Sequence, residues 1–130
     1  MSTNTLPDES NSNQLTNILP NCEVKILDDF RRDAKPLYKK YASLTDEVGA
    51  LINELHTNPT MGTPIGHSCY KIRLAIESKG KGKSGGARVI TYYYVHGKTV
   101  YLLSIYDKVE QDNISEERIA ELLQEIKESG

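Results

Sequence analysis

Between Ser78 and Ile90 the chain interleaves three lysines (Lys79, Lys81, Lys83) with four glycines (Gly80, Gly82, Gly85, Gly86), then passes through Ala87 and Arg88 into a β-branched, aromatic run, Val89 to Val95. Glycine leaves the backbone free to take φ > 0 and to approach a ligand closely, while lysines add charge without fixing a geometry. The stretch therefore reads as a cationic loop feeding a strand. Gly82-Lys83-Ser84 looks like the end of a nucleotide phosphate loop, but the first glycine of that motif would fall on Glu77. The residues after Ser84 are also strand-like rather than the helix whose N-terminus must hold the phosphate. ATP and GTP binding are excluded on those grounds, and the loop alone is equally compatible with a solvated hairpin tip.

The flanks decide more. Tyr70 to Ile76 alternates with period two, which puts Tyr70, Ile72, Leu74 and Ile76 on one strand face and Lys71 and Arg73 on the other. Arg88 opens the next strand, so a hairpin brings Lys71, Arg73 and Arg88 into one neighbourhood. Residues 71–88 carry six Lys or Arg against the single Glu77. Like charges crowded on a small sheet repel, an arrangement suited to a polyanion or an acidic protein segment.

At 130 residues the chain reads as one domain with room for a core. Its formal net charge of −2 argues against a bulk nucleic-acid binder. The charge is polarised instead: residues 71–88 sum to +5, and residues 107–130 hold eight acids against three bases. Cys22 and Cys69 lack metal-ligand spacing, so reduced structural cysteines in a cytoplasmic protein are expected, with no metal and no cofactor. No run approaches transmembrane length, and no signal peptide is read at the N-terminus.

In chain order, the polar, aperiodic residues 1–21 read as a disordered tail, and 22–130 as the folded domain. Cys22–Leu27 gives a short strand. A helix comes next with Phe30, Ala34, Leu37 and Tyr41 on one side and Asp28 or Asp29 as cap, and Pro36 should bend it or delay its start. Ser43, with Asp46 three residues on, starts a second helix that Asn58-Pro59 stops. Residues 58–68 read as a loop. Strands over 87–95 and 98–106 join through His96-Gly97 as a tight turn. Ser115 caps a last helix, with Ile114 placed to staple against Ile119. The expected class is α+β, in the order β-α-α-β-β-β-α. Helices should lie on one face of a small, mostly antiparallel sheet and cations on the other.

Lys71-Ile72-Arg73, the run Gly82-Lys83-Ser84-Gly85-Gly86-Ala87-Arg88-Val89-Ile90, and Leu102-Leu103-Ser104-Ile105-Tyr106-Asp107-Lys108, in this order and spacing, resemble the RelE/HigB-like toxins of bacterial type II toxin–antitoxin modules, in the RelE/ParE superfamily. The resemblance spans about residues 22–127. It implies a RelE-like fold and a ribosome-dependent mRNA endoribonuclease, with mRNA on the ribosome and a cognate antitoxin as partners. It implies the chemistry of a metal-free ribonuclease, in which the ribose 2′-hydroxyl attacks the adjacent phosphate and cations stabilise the developing charge. On that pattern Arg88, Arg73 and Lys71 are the candidate catalytic cations. Arg88 would stand closest to the reacting centre, because a guanidinium fork suits a phosphate. Tyr106 is the candidate for proton transfer, and Lys79, Lys81, Lys83 and Lys108 are candidate RNA-phosphate contacts. The chain departs from the family pattern after this strand. Val109 comes directly after Lys108, and Glu110 to Ser115 contain neither the arginine nor the tyrosine that RelE places there. His67, His96 and Glu77 read as bystanders. A ParE-like gyrase poison and a catalytically inactive binding domain are the alternatives.

Overall fold

A computed structural model describes residues 21–80 and 85–129. Residues 1–20 of the expected tail, and Lys81 and Lys83, lie outside that range. The described elements are β1 (Glu23–Ile26), α1 (Asp28–Lys40), α2 (Leu44–Leu55), β2 (Thr63–Gly66), β3 (Cys69–Leu74), β4 (Ala87–Tyr94), β5 (Thr99–Asp107) and α3 (Glu116–Ser129). Short 3-10 turns occupy Glu77–Lys79 and Val95–Gly97. The five strands lie in the order β1-β5-β4-β3-β2, with β1 parallel to β5 and every other pair antiparallel. The fold is α+β with a mostly antiparallel sheet, as the sequence leads one to expect.

The strand β2 falls within the stretch read as a loop. Thr63-Pro64-Ile65-Gly66 has no alternation to announce it, and it sits at the sheet edge, where a proline's missing N–H breaks no ladder. Its register slips between Pro64 and Gly66.

The helices divide between the two faces. Val89, Leu102 and Ile105 pack with Phe30, Ala34, Leu37, Leu44 and Leu51 of α1 and α2. Ile90, Leu103 and Tyr106 pack with Ile114, Ile119 and Leu122 at the start and along the buried stripe of α3. The expectation of all helices on one face therefore holds for α1 and α2 only, and α3 shares the other face with the cations. The cause is written in β5, where Leu102-Leu103 and Ile105-Tyr106 are apolar at consecutive positions. A strand that is apolar on both sides must be covered on both. Cys22 and Cys69 belong to these opposite clusters, both buried and free, and burial pushes the Cys69 thiol up to about 11.

The local signals fared unevenly. At α3 the expected cap forms: Ser115 Oγ accepts the Arg118 N–H at 3.0 Å, and Ile114 is buried with Ile119. Ser43 makes no cap bond. Its hydroxyl instead donates to Glu47 at 3.1 Å and accepts the Ser78 N–H at 3.0 Å, tying α2 to the turn after β3. Pro36 neither delays nor ends α1, which runs from Asp28 to Lys40. An interior proline costs about 3 kcal/mol, and the burial of Phe30, Ala34 and Leu37 against the sheet offsets it. The β4–β5 connection is longer than a two-residue turn, and its left-handed residue is Lys98 (φ 49°), not Gly97. At 97 the constraint is closeness instead, since a Cβ there would lie 2.8 Å from the exposed Tyr94 ring, which would have to shift.

Candidate functional site

Strand pairing sets Arg73 opposite Arg88 and Lys71 opposite Ile90, and it sets Tyr106 opposite Arg88 on its other side. Directly opposed residues share a sheet face with Cβ atoms about 4.5–5.5 Å apart. Arg73, Arg88 and Tyr106 thus form a row across β3, β4 and β5, with Lys71 on the same face two residues along β3. The alternation in the sequence brings these four side chains together as expected.

Their depths differ. Arg88 and Tyr106 are each only 4% exposed, whereas Lys71 is half-buried and Arg73 exposed. The row has a rim of Arg73 and Lys71 and a floor of Arg88 and Tyr106. Arg88 Nη1 donates to the Ala87 carbonyl at 3.2 Å, so one side of its fork is anchored to its own strand. The Tyr106 hydroxyl is buried without a hydrogen-bond partner among the described residues. A buried hydroxyl left unpaired is costly, and such groups concentrate where a ligand or a reacting proton completes them. Burial pushes the Tyr106 phenol up and Asp112 adds to that, while Arg88 opposes it.

Lys108 lies near this row but is occupied: its ammonium pairs with Asp112 at 2.5 Å. The Lys108 bond holds the Asp112 carboxyl below the usual range, and Lys71 contributes to that from nearby. Asp112 is the acid that sequence reading missed on this face. It arrives in an irregular loop, where no periodicity marks its direction. Its side chain is 93% exposed, so the pair is weak.

Lys79 requires a correction. It was expected among the phosphate-contacting loop lysines, yet its side chain is 8% exposed and its ammonium pairs with the buried Asp107 carboxylate at 2.5 Å. It also stands 5.3 Å from the centre of the Tyr41 ring, whose hydroxyl donates to the other Asp107 oxygen at 2.7 Å. Burial alone would raise the Asp107 pKa, but bonds from Lys79, Tyr41 and the Val109 N–H bring it below the ordinary carboxylate range. A carboxyl depressed on folding contributes stability above its unfolded pKa, about 3.9, and loses it as pH falls through the folded value. Asp107→Asn should therefore show a shallower fall in thermal midpoint than the unmodified chain below about pH 4. Parallel melting curves across that range would show that the carboxylate has no such role.

His96 meets the Tyr94 ring edge-on at 6.0 Å, and His67 stands exposed between β2 and β3 with φ 57°. A cleft of about 440 Å³ between α1 and the β5–α3 loop is lined by Arg32, Lys40 and Arg118 but also by Asp33, Asp107 and Glu110. Its mixed charge makes it a poorer anion site than the row. Among the described residues no His, Cys, Asp or Glu cluster could hold a metal ion. No described helix is long and apolar enough to cross a membrane.

A family model described as the RelE toxin of the RelE/RelB toxin–antitoxin system matches residues 28–128. The fold is similar to that of an E. coli toxin RelE variant solved in the free state, with a TM-score of 0.52 at 16% identity, covering 82% of this chain and 98% of that one. The toxin–antitoxin complex RelBE2 from Mycobacterium tuberculosis is also similar, with a TM-score of 0.48 at 17% identity, covering 69% of this chain and 93% of the other. At 16% identity the likeness to the E. coli protein speaks for the fold alone.

Proposed function

Because the chain belongs to the RelE toxin family, we propose that it is a ribosome-dependent endoribonuclease that cleaves mRNA and is neutralised by a cognate antitoxin. The observation that carries this reading is the cross-strand row of Arg73, Arg88 and Tyr106 with Lys71 beside it. Cleavage of an RNA phosphodiester by its own 2′-hydroxyl passes through a phosphorane with extra negative charge; the 2′-hydroxyl proton passes to water, and a proton must reach the departing 5′-oxygen. Arg73, accessible and forked, takes the non-bridging phosphate oxygens, and Lys71 assists from the same rim. Arg88 supplies charge from the floor. Tyr106 stands beside it as the candidate proton donor. A phenol's ordinary pKa of about 10 already keeps it protonated at neutral pH, and a departing alkoxide is basic enough to take that proton.

An acidic or amphipathic antitoxin segment laid over Lys71 and Arg73 would neutralise both the charge and the access. Changing both to alanine should then weaken the complex, and unchanged affinity would move the partner to another surface. The protein would act in the cytoplasm, where mRNA is translated.

The deciding experiment adds the purified chain to ribosomes programmed with a defined mRNA and maps new ends by primer extension. New ends bearing a 2′,3′-cyclic phosphate and a 5′-hydroxyl are expected. Cleavage should persist with a chelator kept at levels that spare the ribosome's magnesium. A parallel assay of gyrase-driven supercoiling reads the alternative: inhibited supercoiling with intact mRNA would replace this proposal with gyrase poisoning.

A further inference from the structure

Resting on the reading of the cationic row as an RNA-cleaving centre, we propose that the buried Lys79–Asp107 pair, with Tyr41, is a positioning clasp that holds Arg88 and Tyr106 in register. Asp107 is the last residue of β5 and faces Ala87, the first of β4. The next pair along the ladder is Arg88 and Tyr106. Successive residues of a strand point to opposite faces, and a one-residue slip exchanges them. Fixing Asp107 on the α1/α2 face therefore fixes Tyr106 on the other. Strand ends fray, and this one is pinned by three donors on a single carboxylate: Lys79 Nζ, Tyr41 Oη and the Val109 N–H.

The donors come from separate parts of the fold. Tyr41 is the C-cap residue of α1, and Lys79 ends the 3-10 turn after β3. The clasp thus joins a helix end, the β3–β4 connection and the last residue of β5. On the far side of the same strand end, Lys108 N donates to Gly86 O at 3.0 Å, so the ladder also closes beyond the Asp107–Ala87 pair. A buried ion pair is a poor way to gain stability, because apolar residues of similar volume would fill the site as well or better. What it supplies is direction. A carboxylate with three fixed donors has one orientation, while an apolar side chain in the same space has several.

That contrast supplies the test. A triple replacement by apolar residues, Lys79→Met, Tyr41→Phe and Asp107→Leu, should fold with a thermal midpoint at or above that of the unmodified chain. It should nevertheless cleave ribosome-bound mRNA with kcat roughly 10- to 100-fold lower, as expected for misplaced catalytic groups, and with KM little changed. If the triple variant does not fold, Lys79→Met and Asp107→Asn take its place. Each should lower kcat, and their combination should lower it no further, because both remove the same contact. Full kcat in a stable variant would overturn the proposal, as would additive losses or losses that merely track the melting curve.

A second readout does not need catalysis: the NMR signals of the Arg88 guanidinium and the Tyr106 ring. If the unmodified chain proved not to cleave RNA, the proposed function would fail. The clasp would then stand on whether those two signals shift in the variants while Phe30 and Leu122 signals do not. Unmoved Arg88 and Tyr106 signals would overturn it.

Discussion

Arg73→Ala should slow mRNA cleavage roughly 10²- to 10³-fold, about the loss seen when one transition-state donor is removed, while the fold stays as stable or becomes slightly more so. The second half of that expectation makes the experiment diagnostic. Arg73 is exposed, and among the described residues its side chain makes no hydrogen bond or ion pair. It stands directly across from Arg88, and like charges in that relation oppose each other by about 0.2–1 kcal/mol. A residue that is dispensable or mildly harmful to the fold yet essential to activity has the profile of a functional group. Arg73→Lys should recover only part of the rate, since an ammonium keeps the charge but loses the two-point fork. Arg88 is less suited to this test although it sits in the same row. At 4% exposure its removal changes packing as well as charge, so a lost activity there has two explanations. Cleavage at the full rate by a folded Arg73→Ala protein, with ends mapped on the same mRNA, would remove the phosphate-centred mechanism.

What could be read in advance, and what could not, divides along the range of the interactions. The row was legible because period-two alternation over Tyr70–Ile76 fixes which side chains share a face, and Arg88 joins them once a hairpin is recognised. The cap of α3 was legible because Ser115 acts within three residues of itself. Lys79 was not. Within its glycine-rich run it is indistinguishable from Lys81 and Lys83, and only the fold shows that Asp107, 28 residues away, waits beside it. The side taken by α3 was legible in principle. Leu102-Leu103 and Ile105-Tyr106 break strict alternation, and the break corresponds to the register shift of β4 against β5 between Ile90 and Thr91. Such an irregularity lets neighbouring residues serve both faces, and no single-face pattern can represent it. β2 had no signal beyond Ile65, because an edge strand with proline and glycine looks like the loop it replaces. The strand register of Lys71, Arg73, Arg88 and Tyr106 was thus legible, while their depths, the counter-ion Asp112 and the support beneath were tertiary facts.

The largest effect on stability is expected at Gly86. Here glycine is required by a neighbour and not by its own torsion angles: a Cβ at 86 would overlap the Leu74 carbonyl oxygen and lie 3.1 Å from Ala75 Cα. Those are backbone atoms, which cannot swing aside as a side chain would. Leu74 is the last residue of β3 and pairs with Ala87, so relief requires parting β3 from β4 at the pair next to Arg73 and Arg88. Gly86→Ala should cost about 3 kcal/mol, at the upper end for overpacking, and lower the thermal midpoint by roughly 10 °C. Because the strain falls one step from the cationic row, cleavage by the surviving folded fraction should drop as well. Gly49→Ala is the matched control. It lies inside α2 with open space around it, and alanine there should raise stability by about 0.4–1 kcal/mol by reducing the freedom of the unfolded chain. Differential scanning calorimetry of both variants reads the two signs in one experiment. A Gly86→Ala midpoint equal to that of the unmodified chain would mean that the two strands do not meet as closely as described, and the spacing of Arg73 from Arg88 would have to be revised with it.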